Sequence, residues 1–415
     1  MNEIRIEGGN PLTGEVRIQG SKNAALPMMA AALLHKGKSV LHHCPKIADV
    51  FVMEEILREL GMQIHHEGDT LTLDPAHVER TEIDCCEGQK MRSSVILLGS
   101  LLGRYHSASV PHPGGCVIGE RPIDLHLYAL ERLGAVFEEK EGVLVAGTDG
   151  LVGNTIHFPK VSVGATQNAV LASVLAKGIT HLEGCAREPE VVWLCRFLNA
   201  CGAKIEGTGS DSLTITGVEE LHGTEFTVPA DRIVAGTYVC ACAATRGEMV
   251  LDGAPVEEME ALMRVYEKMG GQYEVIGGKL SLCSRWVQVP LKRQCTEVYP
   301  GFPTDLQSPL MAVLCTIPGE SCLVETIFED RFKTASQLRH MGAEVRVDGR
   351  KAVIRGGTLH AAAVEAQELR GGAALVIAGL AAQGETLVRN RQYIERGYED
   401  ICRDLSQLGA VIERD

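Results

Sequence analysis

The residues best suited to chemistry lie in one loop, which reads PGGCVIGERP from Pro113 to Pro122. Glycine and proline at this density are typical of a loop rather than a helix or strand. Within the loop a thiol, Cys116, comes shortly before a guanidinium, Arg121. The thiol could act as an acid or a nucleophile, and the arginine could bind an anion or favour the thiolate. The alternative interpretation is a structural turn with a buried cysteine.

Length and composition predict a globular protein with two or three domains. The chain has 415 residues, of which 45% are hydrophobic and 23% are charged. A net charge of -14 argues against a nucleic-acid-binding surface. The first residues lack the apolar segment of a signal peptide, and the longest apolar runs are too short to span a membrane. We therefore expect a cytoplasmic protein without membrane or nucleic-acid partners.

The 14 cysteines are scattered along the chain and lack the spacing of a metal site. We expect most of them to be small buried side chains in a reducing compartment. No bound metal is predicted.

A sixfold repeat organises the chain. In each copy a helical segment ends at a glycine, which opens a short strand; this glycine is Gly61 in the first copy and Gly409 in the last. The copies are about 70 residues apart, and a fixed period indicates a repeat architecture. Each copy also opens with a helix that is apolar on all sides and should be buried. These helices are predicted at 23–37, 93–103, 166–178, 233–247, 306–319 and 372–384. Each copy is therefore a mixed α/β unit.

The two ends of the chain should belong together. The chain stops too soon after Gly409 to complete the sixth copy, and residues 4–18 carry the missing strand pattern. We expect residues 22–229 to form one domain, and residues 1–21 with 230–415 to form the other. Each domain would hold three copies, and the two chain crossings near 21 and 229 would act as a hinge. Such an arrangement favours opening and closing of a cleft.

Polar and charged residues precede all six buried helices. They include Lys22, Asn23, Arg92, Ser162, Asp231, Arg232, Asp305, Glu368 and Arg370. Helix N-termini favour anions, and the basic side chains add full positive charges at the same positions. We expect the six termini to face one cleft that binds an anionic substrate. The alternative is N-capping by Ser162, Asp231 and Asp305, with the basic side chains solvated.

The second copy carries an insertion at the cysteine loop. Between the helix-end glycine and the next repeat glycine, the other copies take 23 to 25 positions, whereas the second takes 31, from Gly103 to Gly134. The excess falls between Pro111 and Pro122. An insertion in one copy of a regular array usually forms a functional loop. We therefore expect this segment to be a mobile lid over the cleft.

Several motifs resemble those of the UDP-N-acetylglucosamine 1-carboxyvinyltransferases, a family of enolpyruvyl transferases. They lie at 20–27, 113–126, 160–166, 186–190, 302–305 and 328–332. The resemblance runs nearly end to end, and the related 5-enolpyruvylshikimate-3-phosphate synthases share the sixfold fold but lack the cysteine loop. It implies an α/β fold, a two-domain inside-out α/β barrel built from six repeats of a mixed α/β unit, three per domain.

The resemblance also implies an activity. The family transfers the enolpyruvyl group of phosphoenolpyruvate to the 3-hydroxyl of UDP-N-acetylglucosamine and releases phosphate, which is the first committed step of peptidoglycan synthesis. The reaction is an addition–elimination through a tetrahedral intermediate. It uses no metal and no organic cofactor.

Roles for individual residues follow from the resemblance. It implies that Cys116 is the lid thiol, which acts as a general acid, forms covalent adducts and is alkylated by fosfomycin. It implies that Asp305 is the base beside the sugar hydroxyl and that Lys22 takes part in catalysis. The implied phosphoenolpyruvate-binding residues are Lys22, Asn23, Arg92, Arg121, Arg331, Arg370 and Arg396. The implied nucleotide-sugar contacts are Asn23, Arg92, Arg121, Pro122, Ile123, Asp124, Leu125, Lys160, Val161, Ser162, Val163, Gly164, Asp305 and Ile327.

Two motifs depart from the family pattern. Glu368 and Glu395 stand where the family usually has aspartate, shortly before Arg370 and Arg396. A small displacement of a binding group can matter in a preorganised site. These changes keep open the alternative of a non-catalytic paralogue that binds the nucleotide sugar and regulates. A separate alternative is an enolpyruvyl transferase with another acceptor, such as a shikimate phosphate.

Overall fold

The computed structural model describes residues 2–83, 92–111, 119 and 122–415, with the side chains of Arg92 and Ser93 excepted. Within these residues the chain divides into two compact units. One unit contains residues 2–19, 119 and 230–415, and the other contains the described residues of 20–111 and 122–229. The chain passes between the units at 19/20 and 229/230, near the boundaries expected at 21 and 229, but Gly119, expected in the domain of residues 22–229, groups with the other unit. The hinge itself stays a prediction.

Helices and strands follow a similar order in the six copies. In chain order the helices are α1 (Lys22–Ala31), α2 (Ala48–Glu59), α3 (Leu97–Tyr105), α4 (Asp124–Arg132), α5 (Val163–Ser173), α6 (Pro189–Ala200), α7 (Arg232–Thr245), α8 (Glu260–Lys268), α9 (Gln307–Leu314), α10 (Thr334–His340), α11 (Leu369–Ala381) and α12 (Ile401–Gln407). Short 3-10 helices lie at Ala32–Leu34, Arg92–Ile96, Val256–Met259, Thr304–Leu306 and Arg391–Arg396.

The strands are β1 (Glu3–Glu7), β2 (Thr13–Arg17), β3 (Ser39–His42), β4 (Gln63–Glu67), β5 (Thr70–Asp74), β6 (Ser107–Pro111), β7 (Val136–Lys140), β8 (Val143–Gly147), β9 (Thr155–His157), β10 (Ile179–Glu183), β11 (Lys204–Glu206), β12 (Ser212–Thr216), β13 (Glu225–Thr227), β14 (Glu248–Asp252), β15 (Gln272–Ile276), β16 (Lys279–Cys283), β17 (Gln294–Cys295), β18 (Gly319–Val324), β19 (Glu344–Asp348), β20 (Lys351–Gly356), β21 (Ala363–Glu365), β22 (Glu385–Arg389) and β23 (Val411–Arg414).

Among the described residues these strands form six sheets, three in each unit. In the 20–229 unit the strand orders are β13-β3-β5-β4, β6-β8-β7 and β11-β12-β10-β9. In the other unit they are β15-β16-β14-β2, β17-β18-β20-β19 and β21-β22-β1-β23. The predicted α/β fold of six mixed units, three in each half, is confirmed.

The apolar helices that open the copies are buried, as their composition predicts. In the 230–415 unit α7, α9 and α11 pack against one another, and nearly all their residues are inaccessible to solvent. In five of the six copies the glycine assigned to the helix end lies beyond that end, whereas Gly103 lies within α3. Gly178, for example, follows the end of α5 by several residues and has a φ of 96°. Such a conformation turns the chain into the next strand at no steric cost to glycine.

The N-terminal strands complete the sheets of the C-terminal copies. Strand β1 lies antiparallel between β22 and β23, with Ile4 opposite Val388 and Ile6 opposite Ile412. Strand β2 runs parallel to β14. The predicted pairing of the first residues with the end of the chain is therefore confirmed.

Most of the described cysteines are buried thiols, as predicted. Burial raises the pKa of Cys240 and Cys315 to about 12, so both stay protonated. Within the described ranges, no cluster of three or more His, Cys, Asp or Glu side chains could hold a metal ion. None of the described helices is long and apolar enough to cross a membrane.

His35 is buried directly after the 3-10 turn that follows α1. Its Nε2 lies 2.9 Å from Oγ of Ser39. The guanidinium of Arg104 donates to the carbonyl oxygen of His35 and, at 2.7 Å, to that of Leu33. Burial is the main reason that the pKa of His35 falls to about 4, and the charge of Arg104 lowers it further, against a hydrogen bond to the backbone of Gly37 that raises it. The imidazole is therefore neutral in the folded protein at neutral pH.

This histidine should make the protein acid-sensitive. In the unfolded chain His35 takes up a proton below about pH 6.5, whereas the folded protein resists uptake until about pH 4. Between these values the unfolded state binds more protons, so stability falls as the pH falls. The His35 contribution should lower the free energy of unfolding by about 2 kcal/mol between pH 7 and pH 5. Urea unfolding at both pH values should show this loss reduced in His35→Gln; equal losses in the two proteins would contradict the prediction.

Candidate active site

In the 230–415 unit a carboxylate lies between two guanidinium groups. Asp305, in the 3-10 turn before α9, accepts from Nη2 of Arg331 at 3.0 Å through Oδ1. Its Oδ2 accepts from Nη2 of Arg370 at 3.3 Å. Both arginine side chains are only 3% exposed, whereas that of Asp305 is 30% exposed. Two guanidinium groups thus converge on one partly exposed carboxylate, and guanidinium groups are well suited to binding an anionic ligand.

Asp305 does not cap a helix, so that part of the capping interpretation is wrong. The cap position belongs to Pro303, and the Asp305 side chain turns to the arginines instead. The other two capping assignments are confirmed. Asp231 accepts from the amides of Ile233 and Val234, and Ser162 accepts from the amide of Ala165 at 3.3 Å.

A buried chain of hydrogen bonds holds Arg370 from its other side. Nη1 of Arg370 donates to the hydroxyl of Tyr398 at 3.3 Å, and this hydroxyl lies 2.7 Å from Oγ1 of Thr237. Thr237 in turn donates to the carbonyl of Ile233 at 2.9 Å. Burial alone lowers the pKa of Arg370, but the attraction of Asp305 and of the other polar groups outweighs it and raises the pKa above its ordinary value. Arg370 is therefore a fixed, permanent cation.

Glu368 caps the helix that carries Arg370. Its Oε2 accepts from the amide of Arg370 at 2.8 Å, and its Oε1 accepts from the amide of Gly371. Oε2 also lies 3.9 Å from Nη1 of Arg331. Gly371 permits this close approach, because a Cβ there would lie 2.7 Å from Oε1 of Glu368 and 2.4 Å from Oγ1 of Thr334. The glutamate thus satisfies two amides of the first turn of α11 and contacts an arginine of the site.

The second glutamate that departs from the family pattern has a different partner. Oε1 of Glu395 lies 2.9 Å from Nε of Arg391, one turn earlier, and its side chain is 40% exposed. Arg396 follows at the end of the same 3-10 helix and is half-buried. Glu395 is therefore engaged with Arg391 near the surface.

Glu325 is a positioning residue that sequence reasoning missed. It is 1% exposed, and its Oε1 accepts from the amides of Ile327 and Phe328 at 2.8 and 3.1 Å. Its Oε2 accepts from Oγ1 of Thr304 at 3.0 Å. One carboxylate thus holds Ile327, a predicted nucleotide-sugar contact, and the residue before Asp305. The only signal in the sequence is an acidic residue directly after a strand and just before the 328–332 motif.

The 20–229 unit carries the other predicted residues. Lys22 is the first residue of α1, and its Nζ lies 2.5 Å from Oδ2 of Asp49 at the start of α2. The two side chains are only 12% and 5% exposed. Asn23 beside it is half-buried, and Lys160 is exposed. Asp49 was missed at the sequence level, because nothing local relates it to Lys22.

The structure brings together two groups of predicted nucleotide-sugar contacts. Pro122 and Asp124 are exposed at the start of α4, and Ile123 is buried beside them. His126, on the same turn, lies against the N-terminus of α5, where a Cβ at Gly164 would be 2.8 Å from Cε1 of the imidazole. Residues 122–125 and 162–164 are therefore neighbours, although about 40 positions separate them in the chain.

Some predicted residues lie outside the described part of the chain. They are Cys116 and Arg121, together with the side chain of Arg92, whose backbone begins the 3-10 helix Arg92–Ile96. The roles assigned to these residues stay predictions. So does the expectation that all six helix N-termini face one cleft, because it concerns both units.

Comparisons with known proteins identify the family. Residues 6–405 match the family model described as EPSP synthase (3-phosphoshikimate 1-carboxyvinyltransferase). The chain is 44% identical over 415 residues to UDP-N-acetylglucosamine 1-carboxyvinyltransferase 2 of Caldanaerobacter subterraneus, covering 100% of both chains. It is 43% identical to the UDP-N-acetylglucosamine 1-carboxyvinyltransferase of Nitratidesulfovibrio vulgaris, again with 100% of both covered. This chain belongs to the UDP-N-acetylglucosamine 1-carboxyvinyltransferase family.

Solved structures agree with this membership of the enolpyruvyl transferases. The enolpyruvyl transferase NikO from Streptomyces tendae superimposes with a TM-score of 0.90 at 26% identity, covering 100% of this chain and 98% of that one. EPSP synthase from Acinetobacter baumannii gives a TM-score of 0.76 at 18% identity, with both chains fully covered. At that identity the second match shows a shared fold alone.

The capping role of Glu368 can be tested by measuring the stability of two variants. Glu368→Ala removes the acceptor of two helix amides and should lower the free energy of unfolding by about 1 kcal/mol, as cap losses usually do. Glu368→Asp, which restores the usual family residue, should cost less than half of that. Urea unfolding of the three proteins measures the difference. Equal losses in both variants would contradict the prediction, because the carboxylate of aspartate would then fail to replace the cap.

Proposed function

We propose that this protein transfers the enolpyruvyl group of phosphoenolpyruvate to the 3-hydroxyl of UDP-N-acetylglucosamine and releases phosphate. This reaction would make it an enzyme of peptidoglycan synthesis. The proposal rests mainly on full-length identity of 44% to a relative that bears this activity in its name. The arrangement of Asp305 between two buried arginines also supports the proposal, because a carboxylate and two guanidinium groups suit the proposed reaction.

The two arginines suit the anionic substrate. Phosphoenolpyruvate carries a phosphate and a carboxylate, and planar guanidinium groups bind both in a bidentate manner. Arg331 and Arg370 are held in place by their neighbours, so little conformational entropy is lost when they bind. Nε of Arg331 is a buried donor without a hydrogen-bond partner among the described residues. Lys22, Arg92, Arg121 and Arg396 complete the proposed anion-binding set.

Asp305 is the proposed base. As the sugar hydroxyl attacks C2 of phosphoenolpyruvate, its proton passes to the carboxylate, and a second proton is delivered to C3. Cys116 is the proposed acid for that second step. The tetrahedral intermediate then loses a proton from C3 and expels phosphate, which restores the enol ether. Guanidinium groups that neutralise the phosphate make it a better leaving group.

Nucleotide-sugar binding is proposed for the neighbouring segments 122–125 and 160–164, with Asn23 and Ile327. The N-terminus of α5, capped by Ser162, offers amides and partial positive charge to a diphosphate. Two domains that close about a hinge near 21 and 229 would bring acid and base to the same substrate. We propose a cytoplasmic location, no organic cofactor and only these two small-molecule partners.

Phosphate release tests the proposal. Phosphoenolpyruvate is incubated with and without UDP-N-acetylglucosamine, and Cys116→Ala is measured alongside. We expect release that depends on the nucleotide sugar and that falls strongly in the variant. Absence of release, with tight nucleotide-sugar binding by calorimetry, would instead favour a regulatory paralogue. Release that depends on a shikimate phosphate would favour the other acceptor.

A further inference from the structure

The side chain of Asn168 replaces one hydrogen bond of a neighbouring helix. Asn168 lies on α5 and is fully buried. Its Oδ1 accepts from the amide of Gly99 at 2.7 Å, and its Nδ2 donates to the carbonyl of Val95 at 2.9 Å. In an uninterrupted α-helix the amide of Gly99 would donate to that carbonyl, four residues earlier. The Asn168 amide is therefore inserted between the two groups.

The helix changes its form at this insertion. Arg92–Ile96 is a 3-10 helix, and the α-helical bonding begins at Leu97. A 3-10 helix turns by about 120° and rises by about 2.0 Å per residue, against about 100° and about 1.5 Å in an α-helix. Over the four steps from Ile96 back to Arg92 the difference amounts to about 80° and about 2 Å. The form of this first turn therefore sets where the backbone of Arg92 lies relative to α3.

Asn168 has a further partner that lies next to the predicted nucleotide-sugar contacts. Nδ2 is 2.8 Å from Nδ1 of His126, on the first turn of α4. Because Nδ2 can only donate, Nδ1 accepts, and the neutral imidazole carries its proton on Nε2. The same ring lies against Gly164. One buried amide thus joins the helix of Arg92, the helix after Pro122 and the N-terminus of α5.

The surroundings of Asn168 leave it one orientation and little free space. Oδ1 must face the donor on Gly99, and Nδ2 must face the acceptors on Val95 and His126. Gly99 permits the approach, because a Cβ there would lie 2.7 Å from Oδ1. A residue that merely fills the core would need no such matching of donors and acceptors.

We propose that Asn168 is a positioning residue that directs Arg92 toward the anionic substrate by holding the first turn of its helix in the 3-10 form. This inference rests on the proposed function, in which Arg92 binds an anion. Without the Asn168 amide, the Gly99 amide and the Val95 carbonyl can bond to each other. The first turn then becomes α-helical, and Arg92 is displaced while the fold is retained.

A double-mutant cycle tests the inference. Asn168→Ala, Arg92→Ala and the double variant are assayed for phosphate release as phosphoenolpyruvate is varied. We expect Asn168→Ala to raise KM for phosphoenolpyruvate at least about tenfold, with a smaller change in kcat. In the Arg92→Ala background the same substitution should change KM less than about twofold, because it acts through Arg92.

Asn199 supplies a matched control in the same unit. Its side-chain amide also bridges two backbone groups, donating to the carbonyl of Ile205 at 3.0 Å and accepting from its amide at 2.9 Å. Asn199→Ala removes the same kinds of bond at the end of α6 and should leave KM unchanged. An Asn168→Ala effect of under twofold, or equal effects with and without Arg92, would overturn the inference.

Two further measurements keep the test decisive. Thermal unfolding reports whether Asn168→Ala folds, and Asn168→Ser is used in the cycle if it does not. Failure of both variants to fold would overturn the inference, because Asn168 would then serve the fold alone.

If the unmodified protein releases no phosphate, the proposed function fails. The four proteins are then titrated with UDP-N-acetylglucosamine by calorimetry. If Asn168→Ala changes the dissociation constant only when Arg92 is present, the positioning role is still supported. If the change is the same in the Arg92→Ala background, the positioning role is contradicted.

Discussion

Replacement of Asp305 by asparagine should lower kcat for phosphate release by about a thousandfold, which is within the usual contribution of a general base. The amide keeps the size of the carboxylate but cannot take the proton of the attacking sugar hydroxyl. The same substitution should leave the affinity for phosphoenolpyruvate unchanged or increase it. We therefore expect kcat to fall without any loss of affinity for phosphoenolpyruvate.

The increase in affinity follows from the partners of Asp305. Its two oxygens accept from Arg331 and Arg370, the residues proposed to bind the phosphate and carboxylate of the substrate. The carboxylate therefore competes with the substrate for both cations. A neutral amide competes less, so more of the positive charge is left for the ligand.

The experiment compares kcat from phosphate release with the dissociation constant of phosphoenolpyruvate from calorimetry. Glu320→Gln is the matched control, because Glu320 pairs with Arg355 at 3.3 Å on the surface of the same unit. Neither parameter should change in this control. A loss of affinity in Asp305→Asn as large as the loss of kcat would show that the carboxylate helps to bind the substrate instead.

Replacement of Arg370 by lysine should lower kcat/KM for phosphoenolpyruvate at least about a hundredfold. Lysine keeps the positive charge but has no planar fork, so it cannot bond to Asp305 and Tyr398 and still present a second nitrogen to an anion. Loss of one or two charge-assisted hydrogen bonds costs about 3 kcal/mol, which corresponds to this factor. Most of the effect should appear in KM.

The Arg370 prediction has a graded comparison and a surface control. Tyr398→Phe removes one hydrogen bond to the guanidinium and should lower kcat/KM by about tenfold, as loss of one bond to a charged group usually does. Arg355→Lys, in the surface pair with Glu320, should have no effect. A hundredfold loss that lies entirely in kcat would show that Arg370 acts on the transition state rather than on substrate binding.

The fold could be predicted largely because its signals are local and repeated. Each buried helix is apolar on all sides, and each copy carries a repeat glycine, from Gly61 to Gly409, whose positive φ suits the turn into the next strand. The pattern is weak in any one copy, but its recurrence in six copies makes the prediction of a repeat strong. The incomplete last copy indicated where residues 4–18 pair. Helix ends were less predictable, because the last turns before Gly178 and its equivalents are not α-helical.

The candidate site was predictable as a set of residues but not as an arrangement. Glu368 was interpreted as a possible disturbance of Arg370, whereas its longer side chain caps the helix and reaches toward Arg331. Asp305 was considered both as a base and as a cap, and only its bonds to the arginines exclude the cap. Glu325 and Asp49 were missed, because their partners lie elsewhere in the chain.

By itself the sequence determined the six α/β copies, the return of the N-terminus to the last copies and the residue types of the site. These properties follow from backbone propensity and the period of apolar residues, which act over a few positions. Only the tertiary structure decided which acidic side chain pairs with which basic side chain. It also decided where Asn168 inserts into a helix 69 positions earlier. Such contacts depend on side-chain directions at the junctions between copies, and no local pattern of residues encodes those directions.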